Sequence, residues 1–299
     1  VSCCRGKPQC KRQCSPFDKR GLLTIGMATY DDFDGVFFST QAIFMYHKEI
    51  LPYVEIIIVD NNPDSKEGKE TKEYAAQIGA TYIPFKDYSA TTVKGMVFEN
   101  ANTPYVLCMD SHVLVEPGSL MKLLMYYQCN ENTVDLLQGP MLSEDPKQPE
   151  VWTHLDLKWN SQMFGTWAMD ERGKNPDGQP FEIPMQGMGL FSCRKEAWVG
   201  FNRAFRGFGG EEWYMHQKFR QRGGRTLCLP FLRWSHRFRR PNGTPYKVCL
   251  DDKIRNYYIG FMELGLDTDD ITNYFEYEER IPRERLNSLL FEAKCLQPS

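Results

Sequence analysis

No stretch of this chain approaches the ~20 consecutive apolar residues that a membrane-spanning helix requires, and none has the layout of a secretory leader. The sequence begins at Val1 rather than Met, so an anchor removed from upstream remains an open expectation. Net charge is also small. The 36 basic and 39 acidic side chains leave −3 at pH 7, so no general field draws the protein to nucleic acid or anionic membrane, and any such attraction must come from local patches. Internal repeats and low-complexity segments are missing as well. What is present is an ordinary globular composition: 299 residues, 41% hydrophobic and 25% charged, enough for one large domain or two small ones.

The ten cysteines fall into two groups. Cys108, Cys129, Cys193, Cys228, Cys249 and Cys295 are scattered among apolar neighbours and read as buried thiols in a reducing cell; with no leader or span in the chain, they favour the cytoplasm. Cys3, Cys4, Cys10 and Cys14 cluster among Arg5, Lys7, Lys11 and Arg12 in a segment too short for its own core. A thiolate-bound structural Zn²⁺ is one way to order it; disulfides or a disordered tail are the alternatives, since the spacing fits no named zinc pattern.

From Gly21 short apolar runs alternate with amphipathic stretches. Strands are expected at Leu22–Ala28, Val54–Val59, Ala80–Phe85, Tyr105–Met109 and Val134–Gly139. Helices are expected at Asp34–His47, Ser65–Ile78, Ala90–Asn100 and Gly118–Gln128, the first with Phe37, Phe38, Ala42, Ile43 and Phe44 on or near one face. Such alternation predicts an α/β fold with a mostly parallel sheet and helices on both faces. Residues 143–184, rich in Pro, Gly, Asp and Trp, read as an irregular acceptor-side region in which Trp152, Trp159 and Trp167 need packing partners. Beyond Leu250 the pattern is charged and helical, with Tyr257, Tyr258, Ile259 and Phe261 as packing residues. The parse is a basic Cys-rich segment (1–20), a catalytic domain (21–249) and a helical extension (250–299).

Three segments combine into one candidate site. Asp110-Ser111-His112 closes an apolar strand, where open α/β sheets place ligands; residues two apart in extended backbone point to the same side and can share a cation. A carboxylate and imidazoles suit a borderline cation such as Mn²⁺, or Mg²⁺ in its place, which can neutralise a diphosphate leaving group. Gly209-Gly210-Glu211-Glu212 opens an amphipathic segment, and His236 sits in Arg233-Trp234-Ser235-His236-Arg237. Taken singly, each has a plain structural reading: a strand-end turn, a flexible turn with acids complementing a helix dipole, a satisfied histidine.

Taken in order, with Ile56-Ile57-Ile58-Val59-Asp60-Asn61-Asn62 and Gly187-Met188-Gly189-Leu190-Phe191-Ser192 between them, these segments resemble the GT-A fold glycosyltransferases, and most of all the catalytic domains of polypeptide N-acetylgalactosaminyltransferases, over roughly residues 21–246. The resemblance implies a UDP-sugar donor. It makes Asp110, His112 and His236 ligands of Mn²⁺, Asp60 a nucleoside contact with Thr29 and Tyr30 near the base, and Glu211 a partner of donor-sugar hydroxyls. Arg237 and Arg239 are close enough to His236 to offer bidentate hydrogen bonds to the diphosphate. Two departures stand out. About fifty residues follow Tyr246, too few for the lectin domain that usually follows in that family, which puts a peptide acceptor in doubt. Glu212 stands where that family usually has Asn, whereas inverting relatives carry an acid there as general base. The Asp-x-His motif leans toward retention and Glu212 toward inversion.

The expected activity is transfer of a hexose or N-acetylhexosamine to a protein or glycan hydroxyl. Arg239, Arg240 and Lys247, interleaved with Phe238 and Tyr246, keep hydroxymethylated pyrimidines in DNA as an alternative acceptor, reached by base flipping. Readings from other classes are a two-histidine, one-carboxylate iron oxygenase and an inactive sugar-nucleotide-binding module.

Overall fold

The computed structural model describes residues 21–143, 145, 147, 150–237 and 243–297. Its strands are β1 (Leu23–Thr29), β2 (Val54–Asp60), β3 (Thr81–Pro84), β4 (Tyr105–Asp110), β5 (Val113–Val115), β6 (Leu136–Gln138), β7 (Met141–Leu142), β8 (Val151–Trp152), β9 (His154–Asn160), β10 (Met163–Ala168), β11 (Phe181–Glu182), β12 (Leu190–Arg194), β13 (Thr226–Cys228) and β14 (Trp234–His236). The helices are α1 (Phe33–Tyr46), α2 (Lys66–Ile78), α3 (Gly95–Asn100), α4 (Ser119–Cys129), α5 (Glu211–Gln221), α6 (Leu250–Glu263), α7 (Asp269–Tyr277) and α8 (Arg283–Cys295).

Eight strands form the central sheet in the order β11-β13-β6-β12-β4-β1-β2-β3. β1 runs parallel to β2 and β4, so Thr29 lies beside Asp60 and Ala28 beside Asp110; β12 is antiparallel to both β4 and β6. The carboxyl ends of β1, β2 and β4 therefore open on one edge, and the chain order reverses between β1 and β4, where such sheets bind ligands.

Period-two alternation divides the core between the faces. Leu23, Ile25, Met27, Ile56, Ile58, Leu107 and Met109 point to one face and are covered by α1, α2 and α4 through Val36, Ile43, Ala75 and Leu123. Ile57, Val59, Val106 and Cys108 point to the other, against Val97 and Phe98 of α3, Tyr214 and Phe219 of α5, and Ile254, Tyr258 and Phe275 of the last helices. Gly26 makes that second layer close-packed: a Cβ there would lie 2.0 Å from Cγ1 of Val97. Each fully buried aliphatic or aromatic side chain contributes about 1.5–3 kcal/mol, so α6–α8 share the sheet's core.

The expected elements from residue 22 to 142 form close to their predicted bounds. α2 starts at the Ser65 cap, whose side chain accepts from the Gly68 amide at 2.9 Å, and stops at Gly79 in the left-handed conformation, the usual devices for each end. The Ala90–Asn100 helix begins instead as a 3₁₀ turn, Thr91–Lys94. Phe38, expected on or near the apolar face of α1, is 61% exposed. Residues 143–184 are not irregular throughout, because β9 and β10 pair as an antiparallel hairpin. Of the six scattered cysteines, Cys108, Cys193 and Cys228 are buried, Cys249 is half-buried, and Cys129 and Cys295 are exposed. No helix among the described residues is long and apolar enough to cross a membrane.

Candidate active site

β4 ends at Asp110, whose amide donates to Gly189 O at 2.8 Å. Ser111 and His112 then form a turn into β5, so the two side chains of the Asp-x-His motif do not share one strand face, as expected from sequence. They converge because the chain folds back there. β14 pairs antiparallel with β5, setting His236 opposite Val113 and bringing its ring to His112: the Nε2 atoms are 3.2 Å apart, and His236 Nε2 is 3.5 Å from Asp110 Oδ2. One ligand atom from each of Asp110, His112 and His236 lies within 4.8 Å of the others. Two imidazole nitrogens and a carboxylate oxygen directed at one point fit a borderline divalent cation.

Two neighbours prepare these groups. Asp32, 6% exposed, accepts from His112 Nδ1 at 2.6 Å and from Ser111 Oγ at 2.7 Å through Oδ2, and from an Arg237 terminal amine at 2.7 Å through Oδ1. A carboxylate accepts only, so His112 carries its proton on Nδ1 and turns the lone pair of Nε2 toward His236. Lys94 Nζ donates to Asp110 Oδ1 at 2.9 Å and to Met188 O at 3.0 Å. Removal from bulk water alone would raise the Asp110 pKa. Lys94 first, then the His236 contact and the two imidazoles, outweigh it and hold the carboxyl well below its usual range. Burial likewise opposes the charge on Lys94, but Asp110, Cys108 and Glu211 prevail and raise its pKa. Sequence reasoning missed both residues. The Asp31-Asp32 pair just past β1 was an available signal for one of them; Lys94 had none.

Gly209 and Gly210 adopt φ values of +97° and +94°, a left-handed pair that side-chain-bearing residues resist. Asn256 of α6 holds this turn: its Nδ2 donates to Arg206 O at 2.7 Å and Gly209 O at 2.9 Å, and its Oδ1 accepts from the Arg206 amide at 3.0 Å. α5 starts directly after it, so Glu211 and Glu212 occupy the first turn. They are 3% and 7% exposed, which is not how solvated acids complementing a helix dipole sit. Glu211 Oε2 has no hydrogen-bond partner among the described residues. Burial, and second the nearby Glu211, push the Glu212 carboxyl up to about 8. Buried acceptors without partners are costly, and at a cavity wall they mark a place for a ligand.

A cavity of about 700 Å³ joins these parts, lined by Asp110, His112, His236, Lys94, Glu211 and Glu212. Thr29 and Tyr30 also line it, where donor contacts were expected, and Thr29 Oγ1 is buried without a partner among the described residues. Asp60 is placed differently. It is fully buried, its oxygens accept from the Asn62 amide at 2.9 Å and the Tyr82 hydroxyl at 2.7 Å, and Asn61 rather than Asp60 lines the cavity. Arg237 lines it while paired to Asp32. Arg239 and Arg240, and the zinc candidates Cys3, Cys4, Cys10 and Cys14, lie outside the described residues.

The β9–β10 hairpin supplies another part of the wall through Asn160, Ser161, Met163, Thr166 and Trp167. Its turn residues Ser161 and Gln162 have φ of +49° and +66°, costly for side-chain-bearing residues. The last helices brace it. The Gln162 amide donates to the Tyr274 hydroxyl at 3.1 Å, the Phe164 amide to the Tyr257 hydroxyl at 2.9 Å, and Trp159 stacks on Tyr274 with ring centroids 4.6 Å apart.

Comparison with known proteins agrees with this arrangement. The model of glycosyl transferase family 2 matches residues 41–199. A search of curated proteins found no match. Among solved structures the chain is similar to GalNAc-T7 with UDP, GalNAc and Mn²⁺, at 13% identity and a TM-score of 0.66, covering 93% of this chain and 55% of that one; this chain thus spans little more than half of that protein. It is also similar to the mannosyltransferase PcManGT of Pyrobaculum calidifontis in complex with GDP-Man and Mn²⁺ (12% identity, TM-score 0.53, 95% and 78% covered), and to S. aureus TarS residues 1–349 with UDP-GlcNAc (10% identity, TM-score 0.55, 93% and 82% covered). At such identities the likeness is one of fold, the GT-A fold.

Proposed function

This chain belongs to glycosyl transferase family 2, and we propose that it transfers a hexose or N-acetylhexosamine from a UDP-sugar to a protein or glycan hydroxyl, with inversion at the anomeric carbon. The observation that carries this reading is the convergence of Asp110, His112 and His236 on the same cavity that Glu211 and Glu212 enter. The donor set fits Mn²⁺, and GalNAc-T7 and PcManGT, among the similar structures, are Mn²⁺ complexes. Asp110, His112 and His236 would hold the cation, whose chemistry is to neutralise charge developing on the diphosphate. A two-histidine, one-carboxylate oxygenase is set aside, because the chain belongs to a glycosyltransferase family and its Asp110 closes β4 of a mostly parallel α/β sheet.

The protein's own groups divide the remaining work. Glu212 takes the proton of the acceptor hydroxyl as the oxygen bonds to the anomeric carbon; the bond from that carbon to the diphosphate oxygen breaks, and its electron pair leaves with UDP. A carboxylate with a pKa near the working pH suits that task. Glu211, with an unpartnered oxygen, accepts from donor-sugar hydroxyls. Thr29, Tyr30 and Asn61 meet the nucleoside, and Arg237 offers a cation to the diphosphate. The hairpin residues Ser161, Thr166 and Trp167 form the acceptor wall.

The test is UDP release from a panel of UDP-sugars with Mn²⁺ and with EDTA, followed by acceptor trials on peptides, glycans and hydroxymethylated duplex DNA. Metal-dependent release from at least one UDP-sugar is expected; equal release in EDTA would overturn the reading. Binding to the duplex that weakens steeply with salt, together with transfer to it, would replace the protein or glycan acceptor by DNA.

A further inference from the structure

We propose that Lys94 is a positioning residue that decides which cation this site takes: by occupying one oxygen of Asp110 it limits that carboxylate to a single metal bond, which favours Mn²⁺ over Ca²⁺. The inference rests on the reading of Asp110, His112 and His236 as the ligands, and it concerns a side chain that would touch no cation itself. The two oxygens of Asp110 have separate surroundings. Oδ1 accepts from Lys94 Nζ at 2.9 Å. Oδ2 is the oxygen turned to the imidazoles, 3.5 Å from His236 Nε2, and it lies over Gly189, where a Cβ would stand 3.3 Å from it.

Little freedom remains for the two oxygens to exchange roles. The Asp110 amide donates to Gly189 O at 2.8 Å and the Lys94 ammonium to Met188 O at 3.0 Å, so both ends of the ion pair are anchored on the segment that enters β12. Lys94 is buried at the cavity wall and closes the 3₁₀ turn Thr91–Lys94, whose first amide donates to Gly207 O at 2.9 Å. A buried ammonium separates from its carboxylate only at a large desolvation cost. Asp110 therefore meets a cation through Oδ2 alone. Ca²⁺ takes about six to eight oxygen ligands and commonly draws both oxygens of a carboxylate, whereas two imidazole nitrogens and one oxygen suit a borderline cation better. Lys94 also cancels the charge of Asp110, which weakens the hold on a cation bound by charge and oxygen alone.

The experiment is calorimetric titration of the full chain with MnCl₂ and with CaCl₂, for the wild type, Lys94→Met and Lys94→Gln. The wild type should bind Mn²⁺ the more tightly. Either substitution frees Oδ1, so Ca²⁺ affinity should rise by roughly tenfold, the scale on which hydrogen-bonding partners of metal ligands act, while Mn²⁺ affinity changes less. A merely structural ion pair would lower stability and leave the ratio of the two affinities where it was. An unchanged ratio in whichever variant folds therefore overturns the inference, as does a wild type that binds Ca²⁺ as tightly as Mn²⁺; in both cases Mn²⁺ binding leaves the ligand reading standing. A wild type that binds neither cation overturns the ligand reading and the inference with it. A crystal structure of the Mn²⁺-loaded wild type is the direct check, with the metal expected on Oδ2 and Lys94 on Oδ1. A bidentate Asp110 there overturns the proposal even if neither variant folds.

Discussion

Asp32 Oδ2 lies 2.6 Å from Nδ1 of His112, and the same carboxylate reaches Arg237 through its other oxygen. One acid thus sets the tautomer of His112, a proposed metal ligand, and holds an arginine at the cavity wall. Asp32→Asn removes the charge and keeps the shape. Mn²⁺ affinity measured by calorimetry should fall by roughly 10–100-fold, as for other carboxylates behind a ligating histidine; unchanged affinity would mean that Asp32 serves only the fold.

The three proposed ligand positions should not respond alike. His112→Ala and His236→Ala should abolish metal-dependent UDP release with little loss of stability. Asp110→Ala also strands Lys94, whose side chain is 6% exposed. Removing one partner of a buried ion pair costs about 3–5 kcal/mol, so this variant should melt well below the other two. The double variant Asp110→Ala, Lys94→Met should regain stability without activity. Equal melting of Asp110→Ala and His112→Ala would contradict this account of the pair.

Glu212→Gln keeps the volume and deletes the basicity. The transfer rate should fall by roughly 10²–10⁴ with donor binding little changed, and proton NMR of the wild-type product should report an inverted anomeric centre. A retained configuration would remove Glu212 from the base role.

The same variant has a stability signature. Because the folded-state pKa of Glu212 is raised to about 8 from the ordinary 4.5, the native state holds a proton that the unfolded chain gives up. This group's contribution is fully present below pH 4.5 and is lost as pH rises to about 8. Glu212→Gln cannot lose it. Its melting temperature should therefore match the wild type near pH 4 and exceed it increasingly toward pH 8; a constant difference across that range would rule out the raised pKa.

Asn256→Ala tests the turn that delivers both glutamates. It strands the carbonyls of Arg206 and Gly209 and the Arg206 amide, each costing about 1–3 kcal/mol if water cannot reach it. Chemical denaturation should show a lower midpoint, and UDP release should fall even at temperatures where the variant remains folded.

Much of this was legible before any coordinates. The parallel strands from Leu23 to Asp110 announce themselves because each is a short apolar run bounded by caps and turns, whereas Asp110, His112 and His236 stood out only together, through the order of their segments in the resemblance; the structure brings the three side chains within reach of one another. The β9–β10 hairpin was not, since Ser161-Gln162 is a poor turn sequence whose strained backbone is held by hydroxyls more than ninety residues away. Asp60, expected at the nucleoside, accepts from the Asn62 amide and the Tyr82 hydroxyl, since an acid at a strand end can serve its own surroundings as readily as a ligand. Asp32 and Lys94 act through other side chains, and such roles are set by spatial approach rather than by spacing.

The bracing of Gln162 by Tyr274 and of Phe164 by Tyr257 has a consequence for how this protein can be shortened or redesigned. A chain ending before α6 would keep Asp110, His112 and His236 yet lose the supports of both the hairpin wall of the cavity and the Gly209–Gly210 turn. Reshaping this cavity wall by grafting a foreign hairpin would fail for the same reason unless α6 and α7 travelled with it: the exchangeable unit is the hairpin together with the helices behind it.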